Sequence, residues 1–90
     1  MPSCQVTIIN KLGLHARAAA KFVSVANTFP CQISIGRDTN SLCSGKNIMS
    51  VMMLAASKGT ELLISAEGEQ AVEALNALQE LIELRFHEDS

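Results

Sequence analysis

The sequence predicts an α+β fold in which three amphipathic helices cover one face of a four-stranded, antiparallel-type sheet. Three observations carry this. Short β-patterned runs are interleaved with longer runs of helical apolar spacing, in the order β-α-β-β-α-β-α. Apolar residues make up 48% of the chain, with no Trp or Tyr and only three Phe, so the core must be aliphatic. Ninety residues suit one domain, residues 1–90, around one modest core.

In the first strand, Gln5 to Ile9, the apolar residues Cys4, Val6 and Ile8 alternate with Gln5 and Thr7. An alanine-rich helix follows, to about Asn27, with a stripe of Ala19, Phe22, Val23 and Ala26 facing the core. Phe29-Pro30 closes it, because a residue before proline avoids helical dihedrals. Gln32 to Gly36 is the second strand, Asp38-Thr39-Asn40 has turn chemistry, and Ser41 to Cys43 returns as a short third strand. Asn47 is a favoured N-cap for a second helix from Ile48 to Leu54. Glu61 to Ala66 is the fourth strand, ended by Gly68. The last helix spans about Glu69 to Leu84, with Ala71, Ala74, Leu75, Leu78, Leu81 and Ile82 inward and Glu69 and Glu73 at its positive end. Strands one and two, joined by a helix, should run parallel with a right-handed crossover and need not be neighbours. Periodicity does not choose between this sheet order and a ferredoxin-like one.

The second helix has more apolar residues than one stripe can bury. Val51 and Leu54, three apart, are expected in the core, leaving Ile48, Met49 and Met52 as a separate patch. A short helix buried on several sides would read the same way. As a docking surface the patch makes chemical sense, because methionine adapts to differently shaped partners.

The chemistry is expected where the first strand turns into the first helix, at Lys11-Leu12-Gly13-Leu14-His15-Ala16-Arg17. His15 falls at or beside the N-cap. A helix start presents unpaired N–H groups and about +0.5 of partial charge, which suits an anion. Arg17 in that first turn opposes the macrodipole, so local stability does not explain it but a bound anion does. A histidine, free N–H groups and an arginine converging on one point suit a phosphoryl group carried on the imidazole. A lone histidine here can also be a plain polar cap. No acid neighbours His15 in sequence, so a triad-type hydrolase has no local support. His15 and His87 are far apart in sequence, and Cys4, Cys31 and Cys43 form no paired element, so zinc has none either.

Net charge is −2, unevenly spread. Residues 1–60 hold six cations against Asp38 alone, a balance of +5; residues 61–90 hold Arg85 against eight acids, a balance of −7. The basic part should steer toward acidic partners and the acidic part stay in solvent. The acidic total and the lack of an aromatic stacking set exclude nucleic acid as a partner class. No apolar run approaches the ~18 residues of a membrane span. The first residues lack a basic region followed by an apolar stretch of about 7–15 residues, and three cysteines without an export signal are expected to be reduced thiols in the cytoplasm.

Gly13-Leu14-His15-Ala16-Arg17-Ala18-Ala19 resembles the active-site signature of the HPr family, the histidine phosphocarriers of the bacterial phosphotransferase system. The resemblance continues through Gly45 to Leu54, Ala56 to Thr60 and Ser65 to Gly68, covering the whole chain. It implies the open-faced β-sandwich with sheet order one, four, two, three. It implies that His15 is phosphorylated on Nδ1 (a pros-phosphohistidine) by phospho-enzyme I and passes the group to EIIA-type acceptor proteins. Arg17 and the N–H groups of Ala16 and Arg17 would hold the phosphoryl oxygens, and small Ala16 and Ala20 would leave room for the partner beside Ile48, Met49 and Met52. The chain would be a monomeric carrier rather than a stand-alone enzyme, needing no metal, cofactor or nucleotide. Three departures stand out. Ala18 replaces the usual proline, which should loosen the helix start slightly. Leu12 replaces an asparagine that can contact the histidine ring in sugar-branch members; with the Asn10-Lys11-Leu12-Gly13 lead-in, this resembles NPr, the nitrogen-related branch. Asn47 stands at the regulatory serine position and cannot accept phosphate. The competing class is a non-catalytic regulatory module that binds through the residue 48–54 patch, but such a module needs neither His15 nor Arg17.

Overall fold

The computed structural model describes residues 2–89. Strands β1 (Ser3–Thr7), β2 (Gln32–Gly36), β3 (Cys43–Ser44) and β4 (Glu61–Glu67) form one sheet in the order β1-β4-β2-β3, every neighbouring pair antiparallel. β1 and β2 are therefore parallel with β4 between them, as the helical connection requires. Helices α1 (Ala16–Ala26), α2 (Ile48–Met52) and α3 (Ala71–Glu83) complete the predicted order.

The core lies between sheet and helices. Val6, Ile33, Ile35, Leu62 and Ile64 point inward from the strands, against Ala19, Phe22, Val23 and Ala26 of α1 and Ala74, Leu78 and Ile82 of α3. On the ladder, Ser3 pairs with Ser65, Ser65 with Ser34 and Ser34 with Ser44, so one row across all four strands consists of serines.

Several boundaries differ from the expected ones, each for a local reason. β1 starts at Ser3 and leaves the ladder after Thr7; Ile8 is still fully buried, and bonds instead to Thr60 O and Gly59 N. β3 is Cys43–Ser44 rather than Ser41–Cys43, because Asp38 holds Asn40 N by its side chain and Ser41 N by its carbonyl, extending the turn. α2 ends at Met52 rather than Leu54: Leu54 and Ala55 bond back only three residues, and Ala55 is left-handed at φ 50°. α3 starts at Ala71, because Gly68 and Gln70 both take positive φ; Glu69 lies outside the helix and only Glu73 sits in its first turn.

One element was not expected. After α3 the chain makes a 3₁₀-type turn at Arg85–His87 in which all three residues are left-handed, at φ 56°, 55° and 62°. No glycine relieves this, and L-residues resist that region by about 1–2 kcal/mol each. Phe86 is fully buried in the core, and Lys21 Nζ of α1 donates to its carbonyl at 2.6 Å. These contacts hold the turn against α1.

Candidate active site at the start of the first helix

Gly13 makes the site possible. Its φ of +69° and its closeness to the Ala56 carbonyl leave no room for a side chain: a Cβ would lie 2.5 Å from that oxygen. Leu14 N donates to the same oxygen at 2.8 Å, so the loop before α1 is fixed to the chain after α2. His15 follows as the extended N-cap of α1, with no side-chain cap bond. Its imidazole is therefore free for other work, and the N–H groups of Ala16 and Arg17 lack intrahelical acceptors by helix geometry.

Leu12, His15, Arg17 and Lys21 line an open cleft of about 600 Å³, together with His87, Glu88 and Asp89 from the chain's far end. Arg17 is exposed and makes no side-chain hydrogen bond among the described residues. Its guanidinium is available to an anion on the His15 side of the cleft.

Sequence reasoning missed the partner of His15. Glu88, 73 residues away, accepts from His15 Nε2 through Oε2. Its other oxygen accepts from Asn10 Nδ2 at 3.0 Å. Asn10 is fully buried and also donates from Nδ2 to Gly13 O at 2.7 Å; its Oδ1 is buried without a partner among the described residues. Burial alone would push the Glu88 carboxyl up. The hydrogen bonds from His15 and Asn10, with the charges of His15 and Lys21, bring it below the ordinary carboxylate value. Glu88 is thus an ionised acceptor at neutral pH.

Tertiary structure adds three things that the order of residues does not show. His15 does have an orienting acid, contributed by tertiary structure rather than by its sequence neighbours. The acidic end of the chain does not stay wholly in solvent: Glu88 is largely covered in the cleft, while Asp89 lines it and remains exposed. His15 and His87, remote in sequence, line the same cleft, although no group of three His, Cys, Asp or Glu among the described residues is placed to hold a metal.

The second helix divides its residues as its spacing implied. Val51 is fully buried and Leu54 half-buried, while Ile48, Met49 and Met52 are exposed. Met53, at 79% exposure, lies one helical turn beyond Met49, to whose carbonyl its N–H still bonds, and is exposed with it. Ala16 and Ala20 on α1 are exposed too. Asn47 caps α2, its Oδ1 accepting from Ser50 N at 3.0 Å. The cysteines are free thiols: Cys31 is buried, and burial pushes Cys4 and Cys43 up, so neither is activated. No helix among the described residues is long and apolar enough to cross a membrane.

The family model described as "PTS HPr component phosphorylation site" matches residues 2–83. The chain is 65% identical over 88 residues to the phosphocarrier protein HPr of Pseudomonas aeruginosa, covering 98% of each, and 59% identical to that of Pseudomonas putida over the same share. Among solved structures, HPr-C-His from Thermoanaerobacter tengcongensis superposes with a TM-score of 0.92 at 42% identity, covering all of both chains. HPr from Bacillus anthracis superposes with a TM-score of 0.83 at 38% identity, over 90% of this chain and 95% of that one.

Proposed function

The chain belongs to the HPr family of phosphotransferase-system phosphocarriers, and on that premise we propose that His15 is the residue that carries the phosphoryl group. The observation that carries this reading is the placement of His15 at the N-cap of α1, its Nδ1 without a partner among the described residues, beside free first-turn N–H groups and an Arg17 that makes no side-chain hydrogen bond among them. Attack uses the Nδ1 lone pair, in line, on the phosphohistidine of enzyme I. The new N–P bond forms as the donor's N–P bond breaks, and the electron pair returns to the donor ring. Arg17 and the N–H groups of Ala16 and Arg17 take the equatorial oxygens. The group then passes to a histidine of an EIIA-type acceptor.

Enzyme I and the acceptor dock over exposed Ala16 and Ala20 and the Ile48, Met49 and Met52 patch of α2, the helix packed against α1. Leu12 in place of a polar residue in the lead-in loop favours the nitrogen-related branch. Asn47 is committed to its cap and offers no hydroxyl for a kinase. The protein acts as a cytoplasmic monomer of one domain.

The test is incubation with enzyme I and phosphoenolpyruvate. The expected result is a gain of one phosphate that is labile in acid and stable in alkali, and that is lost in His15→Ala. A cap side chain that makes no cap bond leaves the fold intact when removed. Phosphorylation of His15→Ala at the wild-type rate would move the carrier to His87, the only other histidine, on the same cleft.

A further inference from the structure

We propose that Glu88 is a positioning residue for phosphoryl transfer: backed by buried Asn10, its carboxylate holds the proton of His15 on Nε2 and so keeps the lone pair on Nδ1. The inference rests on His15 being the phosphoryl acceptor and concerns a residue beyond the stretch matched by the family model, which ends at residue 83.

The argument follows donors and acceptors. Asn10 Nδ2 faces two oxygens, Gly13 O at 2.7 Å and Glu88 Oε1 at 3.0 Å, so that end of the amide must be the NH₂ group. An ionised carboxylate only accepts. The Glu88 oxygen against His15 Nε2 therefore requires N–H there, and the neutral ring has its lone pair on Nδ1. His15 Nδ1 has no hydrogen-bond partner among the described residues. During transfer no proton need leave: Nδ1 forms the N–P bond, Nε2 keeps its hydrogen, and the ring acquires positive charge beside the carboxylate. When the phosphoryl group moves on, that electron pair returns to Nδ1.

Two features carry a local cost beside the contacts they make. Asn10 is buried with its Oδ1 unpaired among the described residues, a burden for any core. Arg85, Phe86 and His87 are all left-handed, and strained backbone of this kind is retained where it positions something. Together they deliver one carboxylate to one ring nitrogen. The other charged or titratable groups around the cleft, Arg17, Lys21, His87 and Asp89, make no hydrogen bond to that ring.

The test compares Glu88→Gln with Glu88→Ala. In Glu88→Gln, Asn10 still demands an oxygen, so the new amide turns its NH₂ toward His15. That NH₂ needs an acceptor at Nε2 and drives the proton to Nδ1. An amide in place of an orienting carboxylate imposes the wrong tautomer. The conservative substitution should thus be the more damaging one. Nitrogen-15 NMR of His15 is expected to show the Nε2–H tautomer in the wild type, the Nδ1–H tautomer in Glu88→Gln and a mixture in Glu88→Ala. Single-turnover phosphorylation by phospho-enzyme I should fall at least about tenfold in Glu88→Gln and only a few-fold in Glu88→Ala, with the half-saturating enzyme I concentration within about twofold of wild type. A wild-type tautomer or a wild-type rate in Glu88→Gln overturns the proposal, as does an equal loss in both variants with the tautomer unmoved, since that is a merely structural role. A wild-type protein that takes no phosphate on His15 overturns instead the function proposed above.

Discussion

At Gly13 one hydrogen atom in place of a side chain decides where His15 sits. Gly13→Ala would force a methyl against the Ala56 carbonyl and the Ser57 Cα in a backbone region alanine avoids. The expected cost is about 1–3 kcal/mol of stability, read in a denaturant melt, with slower phosphorylation because the loop carrying His15 must shift. A melt unchanged from wild type would show that the loop yields freely. Glu88 makes a second residue-level prediction. Its folded carboxyl lies below its ordinary value of 4.5. The unfolded chain therefore takes up the proton first, so the bond's contribution is complete above the ordinary value and is lost as pH falls through the folded one. On titration from about pH 7 to about pH 3, amide exchange at His87 and Glu88 should accelerate before exchange in β4 does. Simultaneous loss in both would mean the C-terminal turn is no separate unit.

The element that best shows what a sequence reveals is α2. Its i, i+3 spacing put Val51 inside and Ile48, Met49 and Met52 outside, and all four are so placed. What spacing did not show is where the helix stops: it ends at Met52, two residues short of Leu54 and ahead of a left-handed Ala55, a conformation with no mark in an alanine. The same limit hid the turn at Arg85–His87, which contains neither glycine nor asparagine. The inward faces of α1 and α3 were legible because their apolar residues recur with the helical period. Arg17 stood out in the sequence because a cation in the first turn opposes the helix dipole, and His15 because it falls at that helix start inside the family-like motif. Glu88 was not, because a contact across 73 residues leaves no period; the available hints were a lone aromatic, Phe86, past the end of α3 and a catalytic-type histidine lacking a local partner. For α2 the expected outcome is a contrast. Met49→Glu should change stability by no more than about ±0.5 kcal/mol while hastening release of enzyme I, because lost apolar contact acts mainly on dissociation. Val51→Ala should cost about 2–3 kcal/mol with release unchanged in the folded fraction. If Met49→Glu melts many degrees lower, Met49 belongs to the core and the patch is not a docking surface.

Across the whole molecule the charge runs from a basic first two-thirds to an acidic remainder, yet folding does not keep the two apart. The C-terminal turn returns Glu88 and Asp89 to the cleft that holds Arg17 and Lys21. Glu88 is engaged with His15 and Asn10, whereas Asp89 is exposed and makes no side-chain hydrogen bond among the described residues. Lys21 is committed to the Phe86 carbonyl, whereas Arg17 on the same cleft makes no side-chain hydrogen bond among the described residues. Asp89 should therefore oppose the approach of phospho-enzyme I without contributing to the fold. The molecule is only 33 × 25 × 20 Å, so at low salt, where screening acts over about 30 Å, every charge on it is felt by an approaching partner; at about 1 M salt the range shrinks to about 3 Å. Asp89→Asn is accordingly expected to speed association about twofold at low ionic strength and to leave dissociation and the melting temperature unchanged. The gain should vanish in high salt, where the wild type itself associates more slowly. Stopped-flow association measured across a salt series separates the possibilities. A gain that persists in high salt would place Asp89 in direct contact with the partner, and no gain at any salt would mean that the acidic end of the chain lies outside the path of approach.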